Sequence, residues 1–160
     1  AFHEAKKVPL IVVLDNVRSQ HNIGAVFRTA DAFCLQGVWL CGICCCPPNN
    51  EIPKTALGAD LTVDRRYSEH TLDAAKALQA DGYTVYAIEQ AHGSTMLSNM
   101  QLPQNQKTAI IMGHEVFGVQ QEVVDAANGC IEIPQYGTKH SLNVSVTAGI
   151  VMYQLSNMLR

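Results

Sequence analysis

Short apolar runs alternate along this chain with stretches whose apolar positions recur at helical spacing. "PLIVVLD" (9–15), "GVWLCGI" (37–43), "YTVYAIE" (83–89), "TAIIMG" (108–113) and "CIEIP" (130–134) read as strands. Between the first two, "NIGAVFRTADAF" places apolar residues at 23, 26, 27, 30 and 33, which predicts a helix over 22–33 with Asn22 as its N-cap. "SEHTLDAAKALQADG" (68–82) turns Leu72, Ala75 and Leu78 inward and stops at Gly82. "QQEVVDAAN" (120–128) reads as a further helix. "LNVSVTAGIVMYQLSNML" (142–159) reads as the last and most buried one, with Ser141 placed to cap it. Strand and helix alternate throughout, and the strands lack the in–out alternation of a sheet with one wet face. The pattern predicts an α/β fold, a mostly parallel sheet flanked by helices on both faces. No repeat and no low-complexity linker interrupts it, so residues 1–160 are expected to form one domain.

Composition narrows the class. A chain of 160 residues with 48% hydrophobic content can bury about two thirds of its unfolded surface and needs no staples. Its charged fraction is 16%, which hints that a partner covers part of the surface. The longest apolar run, "VPLIVVL" (8–14), is far too short to span a membrane. A net charge of −3 excludes an indiscriminate polycation but leaves room for a local basic patch. Four of the six cysteines fall in "CGICCC" (41–46), which reads as reduced thiols of a cytoplasmic protein. Cys41, Cys44 and Cys46 could cluster on a metal, but no second Cys/His pair follows at zinc spacing, so no metal is expected. The chain opens "AFHEAKK" without a methionine, which points to processing or to an N-terminal segment lying outside it.

In open α/β sheets ligands bind beyond the carboxyl ends of the strands, so the segments after each strand are where chemistry is sought. Three stand out. After the first strand, "DNVRSQHNIGAVFRTA" (15–30) holds Asn22 at a helix start and Arg28 in its second turn, a plausible phosphate grip made of backbone N–H groups and a guanidinium. "IIMGHEVFGV" (110–119) brackets Glu115 between Gly113 and Gly118, residues that allow a sharp turn or close approach to a ligand. It is neither GxGxxG nor a phosphate loop with a lysine, so a dinucleotide or nucleotide-hydrolysing site is poorly supported. "IEIPQYGTKHSLNVSV" (131–146) puts Lys139, His140, Ser141 and Asn143 between a strand end and the last helix. Taken singly, each has an ordinary structural reading: a cap, a surface cation, a strand–helix turn.

Together the three resemble the motifs of the SpoU/TrmH branch of the SPOUT RNA methyltransferases. Asn22, Gly24 and "RTA" (28–30) resemble the family's first motif. "GHEVFG" (113–118) resembles the second, "GNE…G", with His114 in place of the usual asparagine. Ile133, Pro134 and "SLNVS" (141–145) resemble the third.

The resemblance implies an α/β sheet whose C-terminal part forms a deep trefoil knot. It implies that S-adenosylmethionine is bound by Met112, Gly113, Glu115, Gly118, Ile133 and Leu142. The implied reaction is methyl transfer to a ribose 2′-hydroxyl of tRNA or rRNA, with Asn22, Arg28, Glu115, Ser141 and Asn143 as catalytic residues. Leu142 would face the cofactor, while Ser141 and Asn143 face the reacting groups. The family often assigns the first-motif arginine as base. A guanidinium is normally a donor without a lone pair, so Arg28 is read here as phosphate clamp and charge stabiliser. Arg18, His21, Arg28, Lys139 and His140 would contact RNA, with Lys54, Arg65 and Arg66 as further charged candidates. Family members are usually homodimers with a shared active site, and many carry an extra RNA-binding segment. The competing expectation is a catalytically silent RNA-binding module of the same fold.

Overall fold

The computed structural model describes residues 6–44, 63–137 and 142–160. Its strands are β1 (Val8–Asp15), β2 (Leu35–Cys41), β3 (Asp64–Ser68), β4 (Thr84–Ile88), β5 (Thr95–Met96), β6 (Thr108–Met112) and β7 (Gly129–Glu132). Its α-helices are α1 (Gln20–Ala32), α2 (Thr71–Ala80), α3 (Gln121–Ala126) and α4 (Val144–Leu159), with a 3-10 turn at Leu97–Asn99. The strands join one sheet in the order β3-β2-β1-β6-β4-β7-β5, and every described pairing is parallel. This is the mostly parallel, helix-flanked α/β architecture that the apolar pattern predicts.

β1 shows why its sequence lacks alternation. Leu10, Val12 and Leu14 face one core layer, closed by α1 and α4, whereas Ile11 and Val13 face the other, closed by α2 and α3. With both faces covered, apolar side chains are needed at successive positions. At the end of β1, the buried carboxylate of Asp15 ties the layers together. It accepts from Thr71 Oγ1 at 2.5 Å, from the Gln120 backbone N–H at 2.9 Å and from Gln120 Nε2 at 2.8 Å.

Several expected boundaries shift. α1 begins two residues before Asn22, because Ser19 caps it: the Ser19 hydroxyl accepts from the Asn22 backbone N–H at 3.2 Å. Asn22 is therefore inside the first turn, with Arg28 in the third rather than the second. α4 is capped by Asn143, whose Oδ1 accepts from the Ser145 N–H at 2.8 Å, so the cap does not fall to Ser141. Nor is α4 buried all round. Val146, Ile150 and Tyr153, spaced to share one face, stay exposed, as does Leu142 just before the helix.

Two strands are absent from the sequence expectation. β3 reads "DRRYS", an edge strand whose first four residues are exposed and carry no apolar signal. Exposed arginines are a common guard on such an edge. β5 has only two residues. Among the described residues no helix is long and apolar enough to cross a membrane. Among the described residues Cys34, Cys41, Cys44 and Cys130 form no disulfide. Cys44 is bound within the core, accepting from the Val17 N–H at 3.2 Å and donating to the Leu14 carbonyl at 3.3 Å, and Cys46 lies outside the described residues.

Candidate active site

A cavity of about 730 Å³ opens at the carboxyl ends of β4, β6 and β7, within the range typical of small-molecule sites. Met112, Gly113, Glu115, Gly118, Ile133 and Leu142, the six residues expected to hold a cofactor, all line it, together with Asn143. A second cavity of about 450 Å³, at the ends of β1, β2 and β3, is lined by none of the expected site residues.

The wall after β6 is a tight loop built on glycine. A Cβ at Gly113 would lie 2.1 Å from the Gly118 carbonyl carbon and 2.2 Å from the Val119 nitrogen, so no larger residue fits. The loop closes through His114 N–H to Gly118 O at 3.0 Å and Gly118 N–H to His114 O at 2.9 Å. His114 Nδ1 accepts from the backbone N–H groups of Val116 at 3.0 Å and Phe117 at 3.2 Å. An asparagine oxygen can make the same turn-forming bond, which explains how histidine substitutes here. The acceptor role requires Nδ1 to be unprotonated. The imidazole also stacks on Phe117, with ring centroids 4.9 Å apart.

Glu115 joins this loop to the first motif. Its Oε1 accepts from the Ser19 N–H at 3.1 Å and its Oε2 lies 3.5 Å from the Arg18 nitrogen, across nearly the whole chain length. Burial pushes the Glu115 carboxyl up, but backbone donors at Glu115 itself, Ser19 and Arg18 outweigh it and leave it below its ordinary value. A depressed carboxyl contributes stability above its unfolded value, about 4.5, and that contribution disappears as pH falls through the lower folded value. Glu115→Gln is therefore expected to lower the melting temperature near neutral pH and to converge on the parent in acid. Thermal unfolding from pH 7 to pH 3 checks it.

The other expected residues separate. Asn22 is buried in α1, and its side-chain amide has no hydrogen-bond partner among the described residues. Arg28 is exposed and makes no hydrogen bond or ion pair among them. Neither lines the cavity of its own chain. Arg18 and His21 are exposed at the start of α1, and His21 and Arg28 fall on one helix face. Asn143 reaches the cavity, but its Oδ1 is taken by the Ser145 N–H and by Ser145 Oγ at 2.6 Å, which leaves its NH₂ group as the available donor. Arg65 and Arg66 lie on the β3 edge, with Arg66 5.4 Å above the Trp39 ring. Ser141, Lys139, His140 and Lys54 lie outside the described residues.

Sequence reasoning missed Glu89, at the mouth of β4, and Glu132, whose carboxylate accepts from Ser94 Oγ at 2.8 Å. Both lie just beyond or at the end of a strand, so the rule that found the other segments would have found them. With Glu115 they give the cavity three carboxylates and no lysine or arginine among its described lining residues. That charge pattern fits a ligand bearing a sulfonium and an ammonium. The residues present therefore fit S-adenosylmethionine.

Comparison with known proteins agrees with this geometry. The SpoU rRNA Methylase family matches residues 9–153. A tRNA (guanosine(18)-2′-O)-methyltransferase of Thermus thermophilus is 31% identical over 91% of this chain, which spans 73% of that protein. A 23S rRNA (guanosine-2′-O-)-methyltransferase of Neisseria meningitidis is 31% identical over 90% of this chain, which spans 56% of it. The crystal structure of an AdoMet-bound rRNA methyltransferase from Sinorhizobium meliloti superposes with a TM-score of 0.88 at 28% identity, covering 97% of this chain and 58% of its own. With the family match running over almost its full length, the chain belongs to the SpoU rRNA methylase family.

Proposed function

We propose that this chain transfers a methyl group from S-adenosylmethionine to a ribose 2′-hydroxyl of tRNA or rRNA. The observation that carries the reading is the Glu115 bridge. One carboxylate forms part of the cavity wall and also fixes the start of the helix bearing Asn22 and Arg28. A cofactor site and a substrate-side helix are thereby held in one frame.

When bound, S-adenosylmethionine supplies an electrophilic methyl carbon, and in such a displacement much of the rate gain is positional. The chain's own residues do the positioning. The loop at Gly113 and Gly118, with Ile133 and Leu142, holds the cofactor. The Asn143 amide donates toward the ribose, and Ser141 acts beside it. Arg28, with five N–H donors and no acceptor, grips a phosphate and stabilises charge that develops on the attacking oxygen. Arg18 and His21 extend that basic face toward RNA, and Lys139 and His140 contact the RNA as well.

Arg28 lies nine residues beyond Ser19, about 13 Å along the helix axis, so it acts away from the Glu115 wall of its own chain. A homodimer supplies the missing arginine across a two-fold interface, and the exposed stripe of Leu142, Val146, Ile150 and Tyr153 is its apolar surface. The single-domain organisation, the C-terminal knot and a cytoplasmic location belong to the same proposal. Free cysteines accord with the last.

Two experiments test the reading. Mass spectrometry of nucleosides from fractionated tRNA and rRNA, with and without the gene, is expected to show loss of one 2′-O-methylated nucleoside. Unchanged methylation in both fractions overturns the activity. Separately, Arg28→Ala mixed with Asn143→Ala is expected to regain partial activity through hybrid dimers, and a fully active monomer in sedimentation overturns the shared site.

A further inference from the structure

Glu89 has no part in any of the three motifs, yet it lines the cavity. It follows β4, the strand between β6 and β7 in the sheet, so it emerges between the Gly113 loop and the Ile133 segment. Its backbone N–H donates to the Ile131 carbonyl at 3.1 Å, which pins the main chain to β7. Its side chain is seated by a glycine. A Cβ on Gly118 would lie 2.2 Å from Glu89 Oε1, and Gly118 already has a φ of +72°. The carboxylate accepts from the Val119 backbone N–H. Among the described residues no side chain donates to it, and no cation pairs with it. Its two neighbouring carboxylates are differently placed. Glu115 is occupied by Ser19 and Arg18, and Glu132 by Ser94.

A half-buried carboxylate with lone pairs turned into a cavity costs desolvation that the free protein recovers only in part. The chemistry follows: burial raises the Glu89 carboxyl, and the single Val119 bond only partly lowers it. The same carboxylate also pushes the Cys130 thiol up, after burial. Such a group is completed by a ligand that donates two hydrogen bonds at once. A vicinal diol does this, because two adjacent hydroxyls match the two carboxylate oxygens. The position selects the nucleoside end of the ligand over its amino-acid end. Glu89 emerges between the Gly113 loop and the Ile133 segment, the two walls that hold the nucleoside end in this reading, with Gly118 of that loop against its carboxylate.

We propose that Glu89 is a cofactor-specificity residue, whose carboxylate accepts hydrogen bonds from the 2′- and 3′-hydroxyls of the S-adenosylmethionine ribose. The proposal rests on the methyltransferase reading of the cavity. It makes the site select ribonucleosides through a side chain, beside contacts otherwise made by backbone.

Calorimetry on the full chain, with no RNA and no turnover, tests it. The ligands are S-adenosylmethionine, 5′-methylthioadenosine, which keeps the ribose but has no amino-acid group, and 2′-deoxy-5′-methylthioadenosine. The parent is expected to prefer the ribo over the deoxy compound by about tenfold or more, the scale of a hydrogen bond to a charged group. Glu89→Gln keeps the shape and the acceptor for Val119. It is expected to weaken S-adenosylmethionine and 5′-methylthioadenosine by the same factor, about ten- to a hundredfold, and to lose most of the ribo preference. Its melting temperature without ligand is expected to equal or exceed the parent's, since an under-partnered charge has been removed. A loss confined to S-adenosylmethionine would assign Glu89 to the ammonium group and overturn the ribose assignment. Unchanged binding of all three ligands would overturn it too, while leaving the methyltransferase reading intact. If the folded parent binds no adenosine compound at all, the cofactor site itself is wrong and both readings fall together.

Discussion

Gly113→Ala is expected to abolish cofactor binding and to destabilise the fold by about 3 kcal/mol or more, the upper end of what overpacking costs. The added carbon would overlap Gly118 and Val119 backbone atoms at 2.1 and 2.2 Å, and backbone cannot rotate away as a side-chain tip can. Both obstructing residues are also pinned. Gly118 is held in a two-way bridge with His114, and the Val119 N–H is bound to Glu89. The loop can make room only by opening that bridge. Opening it removes two backbone bonds, turns His114 away from Val116 and Phe117, and withdraws Glu115 from Ser19. Residual methyl transfer is expected to fall by about 10²-fold even where protein remains folded, since a displacement near 1 Å is enough for that loss. Thermal unfolding with and without S-adenosylhomocysteine separates the two effects. A variant that melts like the parent and is stabilised equally by ligand would mean that the loop is softer than its contacts indicate.

Much of this architecture was legible because burial writes itself into composition. β1, β4 and β6 are apolar at nearly every position, since each packs against helices on both faces, and no other environment asks for that pattern. β3 was illegible for the opposite reason. An edge strand paired on one side needs no apolar face, and "DRRYS" looks like solvent-exposed loop. The cap of α1 was misplaced by three residues because Ser19 and Asn22 are both good capping residues, and propensity alone does not choose between them. The structure chooses Ser19 because Asn22 has to enter the core side of the helix. The exposed face of α4 was hidden by the same arithmetic that revealed the strands. An apolar stripe left on the surface has the composition of one that meets the core.

The candidate site was legible to a different degree. Six lining residues follow from motif resemblance, and four of them, Met112, Gly113, Glu115 and Gly118, lie on or beside the short loop fixed at Gly113. Glu89 does not, since a lone acid after a strand has no distinctive spacing. What makes it visible is the absence of a side-chain donor around it among the described residues and the glycine that seats it, and both are properties of the assembled sheet end. The substitution of His114 for asparagine is a milder case. It alters the motif's letters and keeps its function as a backbone acceptor.

Arg28→Ala is expected to leave affinity for S-adenosylmethionine within a few fold and to lower methyl transfer by about 10²-fold or more, the scale of removing one preorganised charge-stabilising donor. Arg28 is exposed on α1 and does not line the cavity of its own chain, so the bound cofactor loses no contact there when the side chain is removed. A guanidinium close to a sulfonium would repel it, so cofactor binding has no need of this residue from either subunit. Its donors gain a use only when RNA brings a phosphate and a hydroxyl whose oxygen becomes negative as the methyl is transferred. Arg28→Lys is expected to rescue poorly, because a point charge cannot reproduce a planar fork that meets two oxygens at once. Calorimetry for the cofactor and single-turnover methylation for the RNA separate the two roles. If Arg28→Lys performs like the parent, the residue is a general counter-charge and the fork has no role. If Arg28→Ala instead loses the cofactor, the arginine belongs on the cofactor side, and the division between the Glu115 wall and the RNA-facing helix does not hold.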